Sequence, residues 1–313
     1  MNQYLIARGE IQLGFAGGNR SQLLQKSDQG IYRTFFDTIT KTVQICEKVG
    51  DEGTPLDEIG RELSLLTKTR RQTSSEYEIE PMKAELGCKI GRIKRPVESF
   101  GSQIYAYEET VQTQKIYSDR LRQFIHIYEK LVNFSRLVDL EQPNLSVYGS
   151  ETRYLLLMSC LEVEALFKML MFEDFQNTKG NIFKYWRIAG VARLPEYTLR
   201  FPEFPGVSPV TPFLDWSGDG SLSYAPLKWY QAYNSAKHNA TEGNAVATLK
   251  FAIEAIAACF ILLSANSLSP DFTTKRLSSY FGQIFVLERS PEWSLGEHYW
   301  YVAPQPLRFT AIC

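Results

Sequence analysis

The segment from Pro226 to Ala265, PLKWYQAYNSAKHNATEGNAVATLKFAIEAIAACFILLSA, commits the chain to two neighbouring helices. Pro226 suits a first helical turn, where its missing N–H costs nothing, and eleven residues free of Gly and Pro follow before His238. Along that helix Tyr230, Asn234 and His238 recur at i, i+4, and Lys237 stands three past Asn234. The spacing predicts a phenol, an amide, a lysine and an imidazole on one face, with His238 at the helix end. A turn through residues 239–243 then leads into an apolar helix over about 244–264, burying Val246, Leu249, Ile253, Ile256, Phe260 and Leu263.

A second strongly apolar run, TRYLLLMSCLEVEALFKMLMF, predicts a helix over 150–173 that is hydrophobic nearly all round and so lies centrally in a bundle. Within it Glu164 is one turn from Lys168 and can pair with it, which leaves Glu162 as a buried acid held in a structural ion pair. Helical spacing extends upstream, with Ile31, Phe35, Ile39, Val43 and Cys46 on one face of residues 27–48 and a Thr54-Pro55 start to a further helix carrying Ile59 and Leu63. A long amphipathic helix is expected over 99–140, closed by Pro143-Asn144. The proline- and aromatic-rich stretch 176–225 reads as irregular chain packed on the helical domain or walling a cleft. Near the C-terminus, GQIFVLE and HYWYVAP predict a small β-hairpin. The fold expected is mainly α in three regions: a helical region at 1–142, a helical bundle at 143–268 and a β element at 269–313.

Charge narrows the function. Thirty-four Lys and Arg against 35 Asp and Glu leave a net −1, so no global positive field draws nucleic acid. Local basic clusters remain at Lys68, Arg70 and Arg71 and at Lys89, Arg92, Lys94 and Arg95, which read as solvated basic edges. The five cysteines are scattered, odd in number and without CxxC spacing, and Cys160 and Cys259 fall in apolar helical runs as free buried thiols. No secretory signal pattern opens the sequence, and the most apolar run, 255–263, is too short for a bilayer. A cytoplasmic protein without membrane association is expected.

The residues of the 226–238 helix carry acid–base chemistry. A histidine that titrates near neutrality, with an amide and a lysine in reach, assembles the proton-transfer and anion-stabilising groups of phosphodiester cleavage. The same residues also close a helix end, His238 against the dipole and Asn239 as a left-handed cap. His126, His238 and His298 are far apart and form no metal-ligand spacing, so no metal is expected. Nor is there a GxSxG elbow or a locally activated cysteine.

Taken together, RYLLLMSCLEVEALFK, the aromatic connection with PFLDW, KWYQAYNSAKHN and the final apolar helix resemble the HEPN superfamily over residues 145–268. The resemblance implies an all-helical domain of prokaryotic toxin, defence or RNA-processing systems. Its members carry an arginine, a polar residue and a histidine at a helix end, and many are metal-independent endoribonucleases whose site forms between two protomers. Asn234 and His238 occupy the polar and histidine positions, and Tyr233 stands where the arginine is usual. The resemblance therefore implies RNA as substrate and a homodimer, with no cofactor. It assigns His238, Asn234 and Lys237 as catalytic residues and Tyr230, Tyr233 and Arg153 as substrate-binding ones. The alternative it leaves is a non-catalytic domain that binds RNA or a partner protein.

Overall fold

Residues 30–37 and 42–50 are rich in β-branched and aromatic side chains (IYRTFF, then TVQIC), and strands, not a helix, form there. A computed structural model of the protein describes residues 3–13, 16–37, 42–68, 73–74, 78–83, 88–99, 111–171, 182–216, 225–238, 243–267, 285–301 and 308–310. These divide into two compact units.

The first unit comprises Met1–Ile90, Arg95–Glu108 and Trp293–Thr310. Strands β1 (Gln3–Leu13), β2 (Ala16–Ser27), β3 (Gly30–Asp37) and β4 (Thr42–Gly50) form an antiparallel meander. Ser27 faces Gly30 across the β2–β3 turn, and Gly30 takes φ 132°, a conformation that side chains resist. A Cβ there would meet the Gly50 carbonyl at 2.6 Å. Helix α1 (Leu56–Lys68) starts where Thr54-Pro55 predicts, and its Ile59 and Leu63 bury with Leu5, Leu24, Ile31 and Val49. The helical region expected over 1–142 is thus corrected at residues 3–13, 16–37 and 42–50: Ile31, Phe35 and Val43 fit a helical spacing, but alternating bulky residues favour the pleated sheet, and Ile39 lies outside the described residues.

Short strands complete this unit. β5 (Thr73–Ser74) and β6 (Glu78–Pro81) both pair with β1, while β7 (Cys88–Ile90) and β8 (Val97–Ser99) await partners from the chain's far end. Those partners and the second unit overturn the expected C-terminal hairpin. In the second unit β9 (Thr198–Arg200) pairs antiparallel with β10 (Val286–Arg289), whereas in the first β11 (Tyr299–Tyr301) runs parallel to β8 and β12 (Arg308–Thr310) parallel to β7. The connection carries Pro291 and a helical turn at Leu295–Glu297, and an isolated hairpin would have buried little.

The second unit, Gly91–Lys94, Glu109–Glu292 and Ala311–Cys313, is helical: α2 (Val111–Ser135), α3 (Ser150–Leu170), α4 (Ile182–Val191), α5 (Lys228–His238), α6 (Gly243–Val246) and α7 (Leu249–Ser264). As expected from its all-round apolarity, α3 is central, packing against α2, α5 and α7. The Thr152 hydroxyl accepts the Gly149 N–H at 2.8 Å and closes the start of α3. The helix predicted over 244–264 is divided: Thr248 is extended, bridging Tyr148, and Leu249 donates to the Val147 carbonyl at 2.8 Å, so α6 and α7 are separate.

Two aromatic clusters lock these helices. Phe285 packs on Phe124, Tyr128, Phe201 and Phe260, the closest ring pair being Phe260–Phe285 at 4.6 Å. Phe167 stacks on Tyr185 at 4.7 Å and meets Phe213 and Trp216 edge-on or tilted. The Trp229 indole donates to the Pro212 carbonyl at 2.8 Å, which ties the proline-rich stretch to α5. No helix among the described residues is long and apolar enough to cross a membrane.

Candidate functional site

Helix α5 meets the bundle along one side. Trp229, Tyr230, Ala232, Tyr233 and Ala236 are buried, while Gln231, Asn234, Ser235, Lys237 and His238 are exposed. His238 is the last helical residue, and Asn234 lies one turn before it on the same solvent-facing side. This much follows the sequence spacing.

The phenols do not join them. Tyr230 donates its hydroxyl to Glu164 Oε1 on α3 at 2.9 Å, and only 1% of Tyr233 is accessible. Burial, and then the Glu164 carboxylate beside them, push both hydroxyls well above the usual tyrosine range, so neither supplies a proton at neutral pH. The expectation of four groups on one face is corrected to an amide, a lysine and an imidazole at the solvent side with the Tyr230 phenol turned inward, and Tyr233 is buried as well. With their rings in the core, Tyr230 and Tyr233 offer no stacking surface to a base. Glu164, paired with Lys168 in the sequence reading, instead receives Tyr230; no local spacing signals a partner 66 residues away.

Lys237 sits between the two sides. Its ammonium donates to the Tyr233 hydroxyl at 3.4 Å and lies 5.4 Å from the ring centroid. That contact anchors a side chain otherwise at the solvent edge. Arg153 arrives from α3: its Nε and Nη2 donate to the Ala236 carbonyl at 3.2 and 2.7 Å, satisfying an acceptor in the last turn of α5. A guanidinium, an ammonium and an imidazole therefore gather at the negative end of one helix. The Arg153 charge is already engaged with backbone.

Glu162, by contrast, is a structural acid. Only 3% of it is accessible, and Oε2 accepts from Arg120 of α2 at 3.0 Å, as the sequence reading of a buried ion pair requires. Among the described residues Oε1 has no hydrogen-bond partner. Burial pushes the carboxyl up to about 7 against the opposing pull of Arg120. The thiols of Cys160 and Cys259 are buried and free, and their burial raises both far from the nucleophilic range. Among the basic clusters, Arg95 lies 4.4 Å over the Trp293 ring and donates to the Glu297 carbonyl, a packing role and not a solvated edge. Arg70 and Arg71 lie outside the described residues. Among the described residues no group of three or more His, Cys, Asp or Glu is placed to hold a metal ion.

No family model, no curated protein and no solved structure matches this chain.

Proposed function

We propose that the C-terminal end of α5 is an RNA-directed site of HEPN type, in a protein of a prokaryotic defence or toxin system. His238 acts as the acid–base group, Asn234 orients the phosphate and Lys237 carries the positive charge toward it. One observation supports the reading most: Asn234 and His238 face solvent one turn apart, with the Lys237 ammonium anchored beside them on Tyr233. In cleavage, the ribose 2′-hydroxyl attacks the adjacent phosphorus as the 5′-oxygen leaves. One proton is lost and one gained, and an imidazole at the helix end carries them without a metal.

A single α5 presents half of such a site, so a second copy completes it. The dimer surface proposed is the outer edge of α3, where Tyr154 and Leu161 are exposed; α7 is buried on nearly every side and contributes none of it.

A second reading, binding without cleavage, is favoured by Arg153. The usual arginine position holds a buried tyrosine, and the guanidinium that reaches the site is bonded to the Ala236 carbonyl. Purified protein incubated with RNA in EDTA separates the two. Cleavage that falls roughly a hundredfold or more in His238→Ala supports the enzyme. RNA binding without cleavage supports the second reading, and neither binding nor cleavage ends both.

A further inference from the structure

The proline-rich stretch walls a cavity of about 670 Å³ against the first turns of α7, a volume in the range of small-molecule sites. It lies apart from the end of α5, within the second unit. One side is apolar, with Val207 and Phe251; around it Gln142 and Ser146 supply neutral hydrogen-bonding groups. Lys250 and Glu254 bring one charge of each sign.

Those two charges pair only loosely. Their closest approach is 3.9 Å, the outer limit of an ion pair, and lysine preceding glutamate by one turn is the less favourable orientation on a helix. Glu254 is half-buried, and the cost of desolvating its carboxylate outweighs the help from Lys250 and from Lys228, while Asp215 adds further negative charge. A cationic group placed against Glu254 would offset that cost. An anionic group on the same small molecule would take Lys250, leaving the cavity's net charge unchanged. An apolar side chain between them would cover Val207 and Phe251.

We propose that this cavity binds a small zwitterion of amino-acid to dipeptide size, its ammonium on Glu254, its carboxylate on Lys250 and its apolar side chain against Val207 and Phe251. Ligand binding here is independent of RNA contact at α5, so each stands or falls by its own measurement.

The test is calorimetric titration of the full chain with the dipeptide Ala-Leu, its N-acetylated form and its C-terminal amide. Ala-Leu is expected to bind one site per chain more tightly than about 1 mM, with each blocked form at least about tenfold weaker. Glu254→Gln should weaken Ala-Leu to a similar degree yet leave the affinity of the acetylated peptide unchanged, because that peptide has already lost the partner of Glu254. Two results on the wild-type protein alone overturn the proposal: no binding of Ala-Leu up to about 10 mM, or blocked forms that bind as well as the free dipeptide.

Discussion

Replacing Glu162 by Gln should abolish a pH dependence of stability that burial of its carboxyl imposes. In the folded chain the carboxyl titrates at about 7, against 4.5 for an ordinary glutamate, chiefly because burial penalises the ionised form. Below pH 4.5 both folded and unfolded states hold the proton, and Glu162 is without net effect. Between 4.5 and 7 the unfolded chain releases it while the folded one keeps it, so stability falls as pH rises; above 7 both are ionised and the loss levels off. The span corresponds to about 3 kcal/mol. Glutamine retains an oxygen for Arg120 and never ionises, so the difference between variant and wild type should grow by about 3 kcal/mol from pH 4.5 to pH 8 in the variant's favour. Urea unfolding at several pH values measures this, and a constant offset from the changed hydrogen bond cancels in the comparison. Parallel stability curves would refute the reasoning, because they would mean that the carboxylate is solvated or compensated by more than Arg120.

Three further substitutions test how each unit is held. Arg153→Met keeps the aliphatic stem but removes both donors from the Ala236 carbonyl, and should cost about 1–2 kcal/mol in urea unfolding, whereas exposed His238→Ala should change stability by less than about 0.5 kcal/mol. Gly296→Ala should destabilise the first unit by about 1–3 kcal/mol, since the added Cβ would stand 2.2 Å from the Pro81 carbonyl oxygen, a backbone atom that cannot rotate away. Hydrogen exchange at the β1 and β6 amides reads that loss, and unchanged protection there would contradict it.

Helices α3 and α7 were legible because a segment apolar on every side has few places to go but the centre of a bundle. The sheet built from residues 3–13, 16–37 and 42–50 was not. Ile31, Phe35, Ile39, Val43 and Cys46 satisfy a helical period by coincidence, while the decisive cues, β-branched and aromatic density and a glycine at positive φ, are weak individually. The two C-terminal strands were visible as strands, yet their partners are not written locally: β10 joins β9 and β11 joins β8, far back in the chain. Strand propensity says that an edge wants a neighbour, not which one.

At α5 the spacing was read correctly and the environment was not. Each i, i+4 step turns the side chain by about 40°, so Tyr230, Asn234 and His238 span about 80° of the helix surface. That arc straddles the boundary of burial, and a phenol with a carboxylate waiting on α3 falls inside it. The tyrosine one residue before Asn234 follows the same logic. Position 233 holds a tyrosine because the position points into the core, where an unpaired guanidinium would be costly to desolvate. A second cation at the end of α5, beside Lys237, comes from α3, with Arg153 lying 83 residues before the carbonyl it bonds. Charge at this site is therefore a property of the packed pair of helices: the Arg153 guanidinium of α3 is held on the Ala236 carbonyl while the Lys237 ammonium rests on Tyr233.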